Sequence, residues 1–180
     1  MTHKILIAGF GGQGVMLMGQ LLGYSACADG KKVTFFPAYG PEQRGGTANC
    51  TVVISDSPVG APNPRSVDTV VIMNEPSLEK FAGRVKKGGN IIVNSDLVKE
   101  VPEIPGVNIY RVPIVSDAKK IGNTKVANVI MAGAIIEVTG VLPEEVVAKI
   151  AEEKLGKSPE LVAMNNLALK TGMDIGRALK

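Results

Sequence analysis

The feature that most constrains this chain is a six-residue run, Gly9-Phe10-Gly11-Gly12-Gln13-Gly14, placed where one hydrophobic period gives way to another. Before it, Lys4 to Ala8 (K-I-L-I-A) is a short, unbroken apolar stretch, the pattern of a strand buried on both faces. After it, Val15, Met18, Leu22 and Ala26 recur at helical spacing up to Asp29, and Gly30 supplies the stop. Met16 and Met18 read as packing residues of this helix. Lys32 to Phe36 (K-V-T-F-F) returns to a strand pattern. Strand, glycine-rich turn, helix and strand make a βαβ opening. A chain that starts this way is directed toward an α/β fold, and the reading is an open, mostly parallel, Rossmann-like three-layer sheet.

The remaining residues extend that sheet and then change character. Ala48 to Ile54, Thr69 to Met73, Asn90 to Val93 and Val107 to Val112 read as strands. Ser57 to Ser66 carries Pro58, Pro62 and Pro64 and reads as a connection. A short helix is expected around Leu78 to Val85, with Gly88-Gly89 as a turn into the next strand. From Ile114 onward the patterns are helical. Ile114 to Ile121 is one segment. Thr124 to Thr139 is a second, with Val126, Ile130, Ala134 and Val138 on one face. Leu142 to Leu155 opens with Pro143-Glu144-Glu145, and a last helix starts at Ser158-Pro159-Glu160. All 180 residues read as a single domain, residues 1–180, with a helical C-terminal third.

The glycine run matches G-x-G-x-x-G in the context that gives the motif meaning, directly after a strand and before a helix. Such a turn lets a ligand approach the backbone, and the helix behind it offers free N–H groups and partial positive charge to an anion. The same glycines could instead serve only close packing of strand and helix. A dinucleotide site also needs a carboxylate about 20 residues on, at the end of the second strand. Here that strand ends Thr34-Phe35-Phe36-Pro37, Asp29 precedes it and Glu42 comes well after. NAD and NADP are disfavoured, and the missing G-K-[ST] ending disfavours a Walker-type ATPase. The loop Ala38 to Thr47 should leave the same sheet edge as the glycine turn and flank one crevice with it. Arg44 would bring a bidentate cation there, with Tyr39 and Gln43 as hydrogen-bonding groups; a solvated surface arginine is the alternative. The candidate ligand-binding residues are therefore Gly9, Gly11, Gly12, Gln13, Gly14, Tyr39, Gln43, Arg44, Gly45 and Gly46.

Other chemistry is limited by what the chain lacks. Its two cysteines, Cys27 and Cys50, read as small buried hydrophobes and are too few for a cluster or a structural zinc site. The single histidine, His3, reads as exposed chain, and no triad can be built around it. No catalytic residue and no metal ligand is assigned. The net charge of +3 and the scattered pairs Lys31-Lys32, Lys86-Lys87 and Lys119-Lys120 do not suggest nucleic acid. Val126 to Val141 is too short and too polar to span a bilayer, and no signal peptide is read, so a cytoplasmic protein without a membrane partner is expected.

Taken together, G-F-G-G-Q-G-V (Gly9 to Val15) and Y-G-P-E-Q-R-G-G-T (Tyr39 to Thr47) resemble the gamma subunit of 2-oxoacid:ferredoxin (acceptor) oxidoreductases. Gly122-Asn123-Thr124-Lys125-Val126-Ala127-Asn128, at the start of the long helix, extends the likeness, which covers essentially the whole chain. The resemblance implies a multisubunit complex that decarboxylates a 2-oxoacid oxidatively, joins the acyl group to coenzyme A and passes electrons to ferredoxin. Alpha- and beta-type partners would hold thiamine diphosphate and Mg²⁺, and a ferredoxin-like partner the iron–sulfur clusters. The gamma component would pack on the coenzyme A side and be inactive alone. The wording Y-G-P-E-Q-R-G-G most resembles 2-oxoglutarate or general 2-oxoacid enzymes. The small subunit of indolepyruvate oxidoreductases is an alternative, as is a stand-alone nucleotide- or coenzyme A-binding module. Without its partners the chain is expected to self-associate, as a homodimer.

Overall fold

The computed structural model describes residues 1–40 and 46–180. Six strands form one sheet: β1 (Thr2–Phe10), β2 (Lys32–Tyr39), β3 (Thr47–Ser55), β4 (Val67–Ile72), β5 (Val85–Asn94) and β6 (Asn108–Val112), in the order β2-β3-β1-β4-β5-β6. The helices are α1 (Val15–Ala28), α2 (Glu75–Phe81), α3 (Ile114–Ile121), α4 (Ala127–Thr139), α5 (Glu144–Leu155) and α6 (Pro159–Leu179). No helix among the described residues is long and apolar enough to cross a membrane.

The expected α/β sheet is present, and three of its pairings, β1–β4, β4–β5 and β5–β6, are parallel. The opening differs from a simple βαβ unit. β3 lies between β1 and β2 and is antiparallel to both. The connection from β2 to β3 is too short for a crossover, so β3 must run back along β2. β2 thus runs in the same direction as β1, one strand removed, and the two carboxyl ends still share an edge. The second strand, read as Lys32 to Phe36, runs on through Pro37 to Tyr39; an outermost strand tolerates a residue without an N–H.

Alternation along β1 builds both cores. Ile5 and Ile7 face a thick helical layer, whereas Leu6 and Ala8 face a thin layer containing α2 and the chain around Val98 and Val101. α4 is the centre of the thick layer. It was expected to bury one face, but every residue from Asn128 to Ile136 is buried, because α1, α3 and α6 surround it. Its crossing with α6 is close. A Cβ at Gly172 would overlap the Ile130 carbonyl oxygen and lie 2.7 Å from its carbon; one at Gly133 would lie 3.0 Å from Met173 N. The helix starts follow their caps, as at Ser158, whose hydroxyl accepts from Leu161 N at 3.3 Å.

Three local expectations change. Gly88 and Gly89 are not a turn but part of β5, where the register against β4 shifts between Val67 and Thr69. Gly88 takes a φ of +78°, and a Cβ at Gly89 would stand 2.5 Å from Asp68 O, so a bulge requires both. Cys50 is buried, but Cys27 is exposed, because it falls on the outer stripe of α1 one turn past exposed Tyr24. His3 is within β1 and half-buried; its Nε2 is 3.0 Å from Thr69 Oγ1 on β4.

Candidate functional site

At the carboxyl edge the glycine turn leaves β1 and enters α1. The four glycines have different reasons to be there. A Cβ at Gly9 would come 2.6 Å from Gln13 Oε1 and 2.8 Å from Met73 Cβ. One at Gly14 would come 2.5 Å from Asn128 Nδ2, and Gly14 also holds φ at +76°. Gly12 needs its φ of +92°, although a side chain there would meet no described atom within 4 Å. Gly11 has neither reason: its φ is not left-handed and its Cβ would enter open space. The packing alternative accounts for Gly9 and Gly14 and leaves Gly11 without an internal cause.

Gln13 fastens the turn to the sheet. Its Oε1 accepts from Phe10 N at 2.7 Å and from Asn74 Nδ2 at 3.0 Å, and its Nε2 donates to Met73 O at 3.4 Å. Asn94 Nδ2 donates to the same carbonyl at 3.3 Å, and its Oδ1 accepts from Asp96 N at 3.2 Å. Asn74 also caps α2 through Oδ1, accepting from Ser77 N at 3.0 Å. The ends of β1, β4 and β5 are thus tied together by amide side chains.

Besides α2, three helical segments begin at this edge, and their starts differ. The α3 start holds a carboxylate from the chain itself: Val115 N and Ser116 N donate to Asp96 Oδ2 at 2.7 and 2.9 Å, and the Ser116 hydroxyl donates to Oδ1. Burial pushes the Asp96 carboxyl up, but these hydrogen bonds outweigh it and leave the group below the ordinary aspartate range. The turn leading into α4 is capped by Asn123, whose Oδ1 accepts from Lys125 N at 3.0 Å. α1 has no capping side chain and no acid in its first turn. Its N–H groups keep their capacity for an anion.

A cavity of about 420 Å³ lies where these segments meet. Gly12, Gln13, Gly14 and Leu17 form one wall; Met73 and Asn94 form the floor. Ile114 and Val115 from α3, then Thr124, Lys125, Ala127 and Asn128, close the other side. Among the described residues that line it, Lys125 is the cation. The space suits a ligand with an anionic part, held by α1 and Lys125, and an apolar or amide-bearing part.

Of the residues singled out from sequence, the structure brings Gly12, Gln13 and Gly14 to this cavity. Gly11 lies beside them, and its N–H donates to Gly46 O at 3.2 Å, so the two loops do meet. Tyr39 ends β2 and is 72% exposed, outside the cavity wall. Gln43, Arg44 and Gly45 lie outside the described residues. Sequence reasoning missed Asn74, Asn94, Lys125 and Asn128 as site residues. For Asn128 the signal was a lone amide inside an apolar helical stretch; Asn74 follows β4 and Asn94 ends β5, both at the carboxyl edge. No group of three histidine, cysteine or acidic side chains that could hold a metal occurs among the described residues.

Comparison with known proteins identifies the family and the fold. A sequence model of the pyruvate ferredoxin/flavodoxin oxidoreductase family matches residues 4–175. The chain is 38% identical over 176 residues to ketoisovalerate oxidoreductase subunit VorA of Methanothermobacter marburgensis, covering 97% of this chain but only 36% of that protein. It is 38% identical to 2-oxoglutarate synthase subunit KorC of the same organism, over 97% of each. In three dimensions it is similar to the keto/oxoacid ferredoxin oxidoreductase gamma subunit of Geobacter sulfurreducens, with a TM-score of 0.83 at 31% identity, over 98% of this chain and 99% of that one.

Proposed function

The chain belongs to the pyruvate ferredoxin/flavodoxin oxidoreductase family, and from that membership we propose that it is the gamma-type component of a 2-oxoacid:ferredoxin oxidoreductase. The observation that carries the reading is the uncapped N-terminus of α1, opening on a cavity whose cation is Lys125. That site fits coenzyme A. Phosphate oxygens would accept from the first-turn N–H groups of α1 and from Lys125, and the thiol-bearing arm would lie along Leu17, Met73 and Ile114. Gly11 leaves room for the approach. From the sequence, Arg44 and Gln43 are proposed as further donors to phosphate or to the oxoacid carboxylate, in the loop that also carries Gly45 and Gly46.

The chain's residues support no more than this share of the reaction. Two cysteines cannot ligate a cluster, and no acidic set for Mg²⁺ and thiamine diphosphate stands among the described residues. Those groups fall to alpha-, beta- and ferredoxin-like partners in a cytoplasmic complex. VorA, nearly three times longer than the matched region, is consistent with a module that works beside more polypeptide. The identity to KorC equals that to VorA, so the choice of 2-oxoglutarate rests on the wording of the second loop.

The test is reconstitution with the partner chains. Isolated protein given thiamine diphosphate and coenzyme A should oxidise no 2-oxoacid, and the assembled complex should, with 2-oxoglutarate preferred over branched 2-oxoacids. Turnover by the isolated chain would overturn the subunit reading. Arg44→Ala in the complex should raise KM for coenzyme A or the oxoacid about tenfold, the size expected for one lost charge-assisted hydrogen bond.

A further inference from the structure

Buried polar atoms in folded chains nearly always find a partner. Among the described residues four side-chain atoms do not: Ser25 Oγ, Thr34 Oγ1, Ser77 Oγ and Asn128 Oδ1. Three are hydroxyls, which turn freely toward any nearby acceptor. Asn128 is different. It is 7% exposed, it carries a full carboxamide, and it is the one member of the set that lines the cavity at the carboxyl edge.

Its setting sharpens the contrast. The cavity's other two amides are committed: Gln13 to Phe10, Asn74 and Met73, and Asn94 to Met73 and Asp96. Both brace the scaffold. Asn128 Oδ1 has no partner among the described residues, yet the fold makes a hollow for the side chain, because any Cβ at Gly14 would strike its carboxamide. A glycine with φ of +76° and a buried polar residue directly before the apolar run Val129 to Ile136 are both costly. They coincide at the wall where α1 presents its N–H groups. Rotation about Cβ–Cγ can turn either the oxygen or the amide nitrogen of Asn128 toward the cavity.

We infer that Asn128 is the specificity-determining residue of this cavity, pairing its carboxamide with a neutral donor–acceptor edge of the ligand whose anionic part rests on α1 and Lys125. This rests on the coenzyme A reading above. Coenzyme A has two edges of that chemistry, the secondary amides of its pantetheine arm and the amino-purine edge of its adenine. Both match a primary carboxamide that gives one hydrogen bond and takes another.

The experiment uses the assembled complex for binding and the isolated full chain for stability. Asn128→Leu keeps the shape and deletes the polar edge; Asn128→Ala is the second variant should leucine not fit. The expected result is a KM for coenzyme A raised about tenfold or more, with the oxoacid KM unchanged. The melting temperature of at least one variant should not fall below wild type, since an orphaned acceptor has been removed. A purely structural asparagine would lower melting temperature and leave KM alone. Pantetheine and 3′-phosphoadenosine 5′-diphosphate, as inhibitors, separate the two edges: the one whose inhibition constant rises in the variant carries the contact. Unchanged KM for coenzyme A in both variants would overturn the inference. Lys125→Glu keeps the two claims apart. If it raises that KM while the Asn128 variants do not, only the role of Asn128 fails; if it too has no effect, the cavity is not the coenzyme A site.

Discussion

Replacing Gln13 by alanine tests whether the glycine turn is held in shape by the sheet or is shaped only when ligand arrives. Three hydrogen bonds disappear, but they are not equal. Asn74 is 3% exposed, and its Nδ2 would be left without an acceptor while its Oδ1 stays committed to Ser77 N. An orphaned buried donor costs about 1–3 kcal/mol. Phe10 N loses a 2.7 Å bond, but it borders the open turn and water can take over, so roughly 0.5–1.5 kcal/mol is lost there. Met73 O keeps the bond from Asn94. The total is about 1.5–4.5 kcal/mol, or roughly 3–18 °C in melting temperature for a domain of this size. Urea denaturation of the isolated chain, with wild type and variant sharing one m-value, measures it directly. Gln13→Glu is the control: it keeps both accepting bonds, gives up only the donation to Met73 O, and places its charge near the start of α1. It should lose less than half as much. A loss under about 0.5 kcal/mol for Gln13→Ala would refute the claim that the sheet holds the turn.

Three other outcomes are expected. Gly172→Ala should destabilise by about 3 kcal/mol or more, since its methyl group meets the Ile130 carbonyl of a packed helix, while Gly60→Ala, in open space, should change denaturation little. Alkylation of native protein near pH 8 should modify Cys27 alone, because burial pushes the Cys50 thiol up to about 12 and removes it from reagent; equal rates at both would contradict the packing of α1 on β3. His3 should impose a pH dependence. Burial lowers its pKa against the opposing pull of Asp68, and Lys86 lowers it further, so below the ordinary histidine range the unfolded chain binds the proton first. Stability from this residue is fully present above about pH 6.5 and is lost as pH falls toward the folded-state value. His3→Gln should flatten that part of a pH–melting curve, and an unchanged slope would exclude the effect.

Much of this was legible locally. The glycine run, Gly30 after the first helix, the bounds of α3 and the cap at Ser158 depend on neighbours within a few residues, and the sequence pattern carries such information. The misplaced features depend on distant chain. The direction of β3 follows from which strands it joins, Gly88-Gly89 from a bulge opposite Asp68, and the exposure of Cys27 from which stripe of α1 the sheet covers. Site residues divide in the same way. Gly12 and Gln13 sit in a motif that announces itself, whereas Asn74, Asn94, Lys125 and Asn128 converge only after the strands are ordered. Gly9 and Gly14 were read as ligand residues, and the structure gives each a packing duty.

The strand inserted between β1 and β2 also sets a length. Neighbouring strands stand about 4.8 Å apart, so the carboxyl ends of β1 and β2 are separated by roughly 10 Å, twice the gap in an uninterrupted parallel pair. In a dinucleotide fold the residue that holds the ribose stands one strand from the phosphate turn. Here even a well-placed carboxylate after Tyr39 would stand a strand too far away. The sheet order therefore works as a ruler. A molecule that touches both the glycine turn and the end of β2 must bridge about two strand spacings, roughly 10 Å.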